Sequence, residues 1–359
     1  MEFIDLEKKY RNFYAPAFQV KVEGKDLLHA GVEIGNISVD NTLEGADSFS
    51  FMVNNSYDAV RRELKWMDQL FAPGSGVEIK MGYTDKFESM LTGLITSVRV
   101  TYPAGGLPFL EVSGFDLSHR MMKGRQSTPW PPDVKDSDIA KKIASKYSLS
   151  SVVEDTRVKH PEVNQDQESD FDFLTRLAQR NHFEFFVFGR TLYFRAPAND
   201  EAPVINLEWG KTLVSFSPEI NLGEQVSEVE VRGWDARAKK EIVGRAKTGD
   251  EQGRDSSGRT GSEMVNSVYS QTVTERLRLP VDSREEADNR ARAILNRCAD
   301  GLVRGNGESI GIPELLHGKN IKLDNLGKKF SKTYYVERTN HSIGSSGYRT
   351  TFSVKENAI

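Results

Sequence analysis

Cysteine is almost missing from this 359-residue sequence: Cys298 is the only one, so no intrachain disulfide can form and a thiolate metal site lacks ligands. Packing alone must hold the fold. No run approaches the ~18 apolar residues that a membrane helix needs. The opening stretch MEFIDLEKKYRNFYAP mixes acids and bases without an apolar core, which is not the pattern of a secretory signal. Synthesis in the cytoplasm without a signal peptide is the expectation. An excess of one charge is absent too, since 48 Lys plus Arg stand against 52 Asp plus Glu, a formal net charge of −4. No global field draws such a chain to nucleic acid or anionic lipid.

Catalytic patterns are equally scarce. The histidines His29, His119, His160, His182, His317 and His341 include no i, i+4 pair, so there is no zinc-type helix motif. Gly344-Ser-Ser-Gly347 is one residue short of a G-x-S-x-G elbow, and no Walker-type loop occurs. Glu168 and Asp170 could be drawn as a glycosidase-like carboxylate pair, but helix capping is the better reading of Asp170. Arg120, Lys123 and Arg125 form a basic cluster without interleaved aromatics, the mark of a solvated face. Trp66, Trp130, Trp209 and Trp234 are spread along the chain and read as core. No catalytic residue, cofactor or metal site is assigned, and an enzyme is not expected.

What is present is a globular composition, 38% hydrophobic and 28% charged, on a chain long enough for two or more units. Alternation at Phe18, Val20, Val22 and at Ile34, Ile37, Val39 predicts strands. Val60, Leu64, Met67, Leu70 and Phe71 recur at helical spacing, predicting a helix over 57–71. Strands follow near Val77–Met81, Leu91–Val100 and Phe109–Val112. Residues 1–115 thus read as a first antiparallel barrel with an inserted helix. Ser137 opens one helix, and Ser169 or Asp170 caps another that ends near Asn181, a residue that tolerates the left-handed conformation. A hairpin turning at Gly189-Arg190 completes an α+β unit over 116–205. Residues 206–245 and 310–359 read as a second barrel. Between them, 246–309 combines a flexible loop at 246–263 with a helix opened by a Ser283/Glu286 capping box and stopped at Gly301. Gly76, Ile79 and Lys80 near the start share their spacing with Gly318, Ile321 and Lys322 near the end, which reads as a duplicated barrel motif.

The segment Glu168-Ser-Asp-Phe-Asp-Phe-Leu-Thr-Arg-Leu-Ala-Gln-Arg-Asn-His-Phe-Glu-Phe-Phe-Val resembles the signature of the phage late control protein D family. That family includes tail hub proteins and the N-terminal part of type VI secretion spike proteins. The signature rests on Glu168, Ser169, Asp170, Phe171, Phe173, Leu174, Leu177, Ala178, Phe183 and Phe186. The resemblance extends to Leu91–Val98, Gln225–Asp235 and Tyr334–His341. Asn181-His182 stands where the family has a glycine.

The resemblance implies a mainly β fold with α+β insertions and two barrels per chain, three chains forming a pseudo-sixfold ring. Its implied role is a baseplate hub that adapts a hexameric inner tube to a trimeric spike, beside other baseplate components, in a virion or an extracellular tail-like particle. The chain ends at Ile359, directly after the second barrel, so the spike is expected to be a separate protein. Two other readings stand beside the hub. One is a tail-associated peptidoglycan hydrolase; the other is a receptor- or carbohydrate-binding module contacting its target through the 246–263 loop.

Overall fold

The computed structural model describes residues 3–67, 69–236, 238–253 and 258–359. Twelve strands carry the main architecture. The first six are β1 (Pro16–Val22), β2 (Ile34–Thr42), β3 (Ser48–Val53), β4 (Gly76–Tyr83), β5 (Lys86–Thr101) and β6 (Phe109–Asp116). The second six are β7 (Ile205–Glu208), β8 (Leu213–Ile220), β9 (Val303–Ile310), β10 (Asn320–Asp324), β11 (Thr333–Gly344) and β12 (Gly347–Glu356). Several of them follow the two-residue period of a half-buried strand. In β3, for example, Phe49, Phe51 and Val53 are buried between half-buried Ser48, Ser50 and Met52.

The order of neighbours repeats. In the first half it is β2-β3-β6-β5-β4-β1, and in the second β8-β9-β12-β11-β10-β7. Each strand of the second half therefore lies where the strand six places earlier lies in the first. Irregularities repeat too. A bulge breaks β2 against β3 between Ile34 and Ile37, and β8 against β9 between Leu213 and Ser215. Another breaks β5 against β6 between Ile95 and Ser97, and β11 against β12 between Val336 and Arg338. Bulges at matching places fix one residue-by-residue correspondence between the halves. One strand departs from the repeat: β1 runs antiparallel to β4, whereas β7 runs parallel to β10.

This correspondence corrects the motif read from the sequence. Gly74 donates its N–H to the Ile95 carbonyl, and Gly318 donates to the Val336 carbonyl; Ile95 and Val336 in turn donate to Ser75 and Lys319. Gly318 therefore matches Gly74, not Gly76, and Ile321 and Lys322 match Val77 and Glu78 rather than Ile79 and Lys80. A shift of two residues keeps every side chain on its face, so alternation alone could not expose it. Both true partners have positive φ, +97° at Gly74 and +69° at Gly318.

Volume is distributed differently in the two halves. Where β3 carries Phe49 and Phe51, β9 carries Gly305 and Gly307. The space is filled from neighbouring strands, since a Cβ at Gly305 would meet the Phe216 ring and one at Gly307 the Phe352 ring, each at 2.5 Å.

The sequence predicts two antiparallel barrels. The ladders join both halves, with the short strand Lys25–Asp26 beside β1, into one thirteen-stranded sheet, because β11 pairs with β2, and closure of either half is not among the described ladders. A single apolar core runs under both halves, from Leu6 and Val20 to Phe352 and Val354.

Other elements also depart from expectation. Residues 57–71 are not a helix: Tyr57–Asp58 pairs with Glu63–Leu64. Asp58 accepts the N–H groups of Val60 and Arg61 at 3.0 Å each, an Asx turn that outcompetes helical pairing. Val60 is 93% exposed while Phe71 is buried. Residues 228–235 and 240–247 do not belong to the second half's sheet. With Thr274–Arg278 they form a separate three-stranded sheet, packed on helix Arg284–Ala299 through a core of its own. The segment 246–263 is only partly a loop, because Lys247 ends a strand and Thr260 caps helix Gly261–Tyr269 with a complete capping box; residues 254–257 lie outside the described residues. A helix that sequence reading missed, Phe3–Lys9, buries Leu6.

Gly74→Ala is expected to cost about 1–2 kcal/mol through backbone strain alone, since a Cβ there meets nothing within 4 Å. Chemical denaturation checks this. Gly318→Ala should cost more, because its Cβ would lie 3.3 Å from Arg195.

Candidate assembly interface

Helices are labelled α1 (Asp136–Lys146), α2 (Asp170–Asn181) and α3 (Arg284–Ala299). The signature residues build α2 and its exit. Ser169, not Asp170, is the cap, accepting the Asp172 N–H at 3.0 Å. Asp170 opens the first turn and accepts from Lys146 Nζ at 2.6 Å, Tyr147 Oη at 2.8 Å and Gln165 Nε2 at 3.0 Å. Burial raises the pKa of this carboxyl, but those hydrogen bonds outweigh it and the net shift is downward. Glu168 is paired with Arg176. With its pKa held down, Asp170 is not poised as a proton donor.

Phe171, Phe173, Leu174, Leu177 and Ala178 are buried with Phe185, Leu192 and Phe194 in the core of the inserted unit. Phe183 meets Phe194 edge-on at 5.5 Å between ring centres, and Phe186 stacks on Tyr193 while meeting His317 edge-on at 4.8 Å. The left-handed residue that ends α2 is His182, φ +54°, rather than Asn181. Asn181 stays helical because its side chain is committed: Nδ2 donates to Asp136, and Oδ1 accepts from Asn289 on α3. The signature thus docks the inserted unit onto α3.

Two polar clusters complete that docking. Buried Asp136 pairs with Arg180 and lies 3.6 Å from His160, whose other ring nitrogen is 3.3 Å from Glu286. Asp300, just after α3, accepts from His182 Nε2 at 3.1 Å and from Lys355 Nζ on β12 at 2.9 Å. Burial would raise the Asp300 pKa, yet the Lys355 charge and the His182 hydrogen bond hold it down to about 2.

The seam between the halves is where β11 meets β2. Thr339, His341 and Ile343 face Asn41, Val39 and Ile37 on the buried side. On the outer side Arg338 reaches Asp40 at 2.9 Å, and Asn340 reaches Ser38 at 2.8 Å and Asp40 at 3.0 Å. His341 Nε2 donates to the Leu315 carbonyl at 2.8 Å, so its Nδ1 is the acceptor for Tyr348 Oη at 2.9 Å. Burial pushes the His341 pKa down to about 4, against the opposing hydrogen bond that His341 donates to Leu315. Tyr348 continues through Tyr83, 5.6 Å away between ring centres, to Tyr10. Tyr10 Oη donates to Glu314 at 2.8 Å.

Two strands keep an open side. β5 pairs with β4 only as far as Leu94, and among the described residues nothing pairs with that side beyond Ile95. Among the described residues β8 pairs with β9 alone along Ser215–Ile220. By the repeat, these are the counterparts of β11 and β2, the strands that make the seam. Sequence reading missed both edges, because an edge is defined by a partner's absence and leaves no local pattern.

Among the described residues no group of three or more His, Cys, Asp or Glu side chains is arranged to hold a metal ion. No helix is long and apolar enough to cross a membrane. A cleft of about 940 Å³ between the three-stranded sheet and α3 is lined by Lys240, Glu241, Arg245, Arg284, Asp288 and others. Its lining mixes acids and bases.

The repeated strand order, the inserted unit and the seam make up the fold of phage tail proteins. The chain is similar to the 43 kDa tail protein of prophage MuSo2 from Shewanella oneidensis, at 13% identity and a TM-score of 0.71, covering 96% of this chain and 99% of that one. It is similar to a tail protein from Neisseria meningitidis at 16% identity and a TM-score of 0.69, covering 96% and 97%. It is also similar to the E. coli c3393 protein, a component of the type VI secretion system, at 13% identity and a TM-score of 0.56, covering 93% and 76%. A family model described as the Alg8 N-terminal domain matches residues 14–345, and the chain belongs to that family. No curated protein sequence matches the chain.

Asp300→Ala removes the nearer partner of the half-buried Lys355 ammonium and leaves it only Glu337, 3.7 Å away, and is expected to lower unfolding stability by about 1–3 kcal/mol. Denaturant titration of the full chain checks it. The His341 imidazole stays neutral in the fold down to about pH 4 but takes a proton near 6.5 when unfolded. Its contribution to stability is complete above pH 6.5 and is lost as pH falls toward 4. His341→Gln should therefore remove about one proton from the acid slope of Tm against pH, as measured by calorimetry.

Proposed function

We propose that this chain is the structural central hub of a baseplate, in a contractile tail or a tail-like injection system. Three copies form a ring in which each chain's two six-stranded halves serve as two barrels, six in all. One face of the ring meets the hexameric inner tube, and the other carries a separate trimeric spike. The observation that carries this reading is the recurrence of strand order and bulges between β1–β6 and β7–β12. A chain with two like halves presents three-fold symmetry to one partner and near six-fold symmetry to another.

The tail-protein fold supports a role in assembly rather than catalysis. The ion pairs that Glu168 and Asp170 make with Arg176 and Lys146 weigh against these two carboxylates as a hydrolase's acid and base. Native mass measurement is expected to give a particle of three chains that co-purifies with tube and spike proteins. A chain that stays monomeric and joins neither would overturn the proposal.

A further inference from the structure

The repeat also predicts how one copy meets the next, provided the three-copy ring is right. Within a chain the seam joins the fifth strand of the second half, β11, to the second strand of the first, β2. The same join, made from the first half, needs β5 and a copy of β8, and a single chain cannot bring its own two edges together because β11 and β2 already link its halves in the other order. We propose that the open side of β5 over Ser97–Tyr102 pairs antiparallel with β8 of a second copy of this chain, forming a seam equivalent to β11–β2.

The matching bulges set the register. Arg338 corresponds to Ser97 and Thr42 to Asn221, so Val98 faces Ile220, Arg99 faces Glu219, Val100 faces Pro218, Thr101 faces Ser217 and Tyr102 faces Phe216 of the second copy. Three independent observations agree with this register. Val98, Val100, Phe216 and Ile220 are all half-buried against the same apolar core, so the register brings apolar groups together on the inner face. On the outer face it opposes Arg99 to Glu219, much as Arg338 stands beside Asp40 in the internal seam. The backbone phase fits as well. Asn221 donates its N–H to Leu302, so Ser217 and Glu219 also bond to β9, while Phe216, Pro218 and Ile220 point their backbone groups outward. Pro218 has no N–H, which costs the seam one hydrogen bond and blunts the edge against indiscriminate pairing.

Arg99 and Glu219 would form a non-hydrogen-bonded pair, with Cα atoms about 4.5 Å apart, within reach of a disulfide. The test is Arg99→Cys with Glu219→Cys in a Cys298→Ser full chain, oxidised and run on a non-reducing gel. Two- and three-chain bands that vanish on reduction, and that neither single variant gives, are expected. Both positions are exposed strand sites, and circular dichroism verifies the fold of each variant. Arg99→Cys with Ser217→Cys, two residues out of register, should remain uncross-linked. Cross-linking by this second pair alone would overturn the register. A three-chain particle in which neither pair links would overturn the seam and leave the hub standing. A monomer by native mass would remove both.

Discussion

A β-strand has two hydrogen-bonding sides, and the rest of this molecule depends on how the second side of β11 is filled. Over Arg338–Ile343 that side is taken by β2, from the other half of the chain. The pairing converts two like sheets into one and buries His341, Thr339 and Asn41 beneath it. A run of side chains leads from there across the halves: the His341–Tyr348 hydrogen bond, the aromatic run to Tyr10, and the Glu314 carboxylate that Tyr10 and Lys9 share. Polar groups at such a place are costly when unsatisfied: the His341 ring is satisfied at both nitrogens, while Thr339 Oγ1 and Asn41 Oδ1 have no hydrogen-bond partner among the described residues.

The inserted elements are secured differently. Side-chain charges at their contacts with the sheet do much of that work. Asp300 is the clearest case, because one carboxylate binds the end of the signature helix and a lysine of the last strand. A charge removed from water demands its partners at fixed distances, so a few such contacts orient whole units that otherwise have cores of their own.

Much of this was legible in the sequence. Alternation located most strands of the large sheet, and the Glu168–Val187 segment identified a helix and hairpin that the structure forms. What escaped had physical causes. The 57–71 stripe looked helical because apolar spacing does not register Asp58, whose side chain captures two backbone N–H groups. Phe3–Lys9 is too short to show a period. The Gly-x-x-Ile-Lys match fell on the right strands but two residues out of step, a displacement that leaves every face unchanged. The strands at 228–247 carried the correct period with no indication of which sheet they join, since that is decided by the parallel return of Thr274–Arg278. Edges are hidden for the same reason: local pattern reports how a strand is built, not what lies beside it.

The exchange of bulk between the halves has a consequence for how such a chain reaches its structure. Two sheets with the same strand order invite swapped pairings as the chain folds, with β3 entering the place of β9 or the reverse. Phe49 or Phe51 in that place would strike the rings of Phe216 and Phe352, and Gly305 or Gly307 in the first half would leave holes the size of a phenyl group. Either mistake is penalised by packing alone. The glycines thus act as an address, by which a duplicated chain tells its own two copies apart.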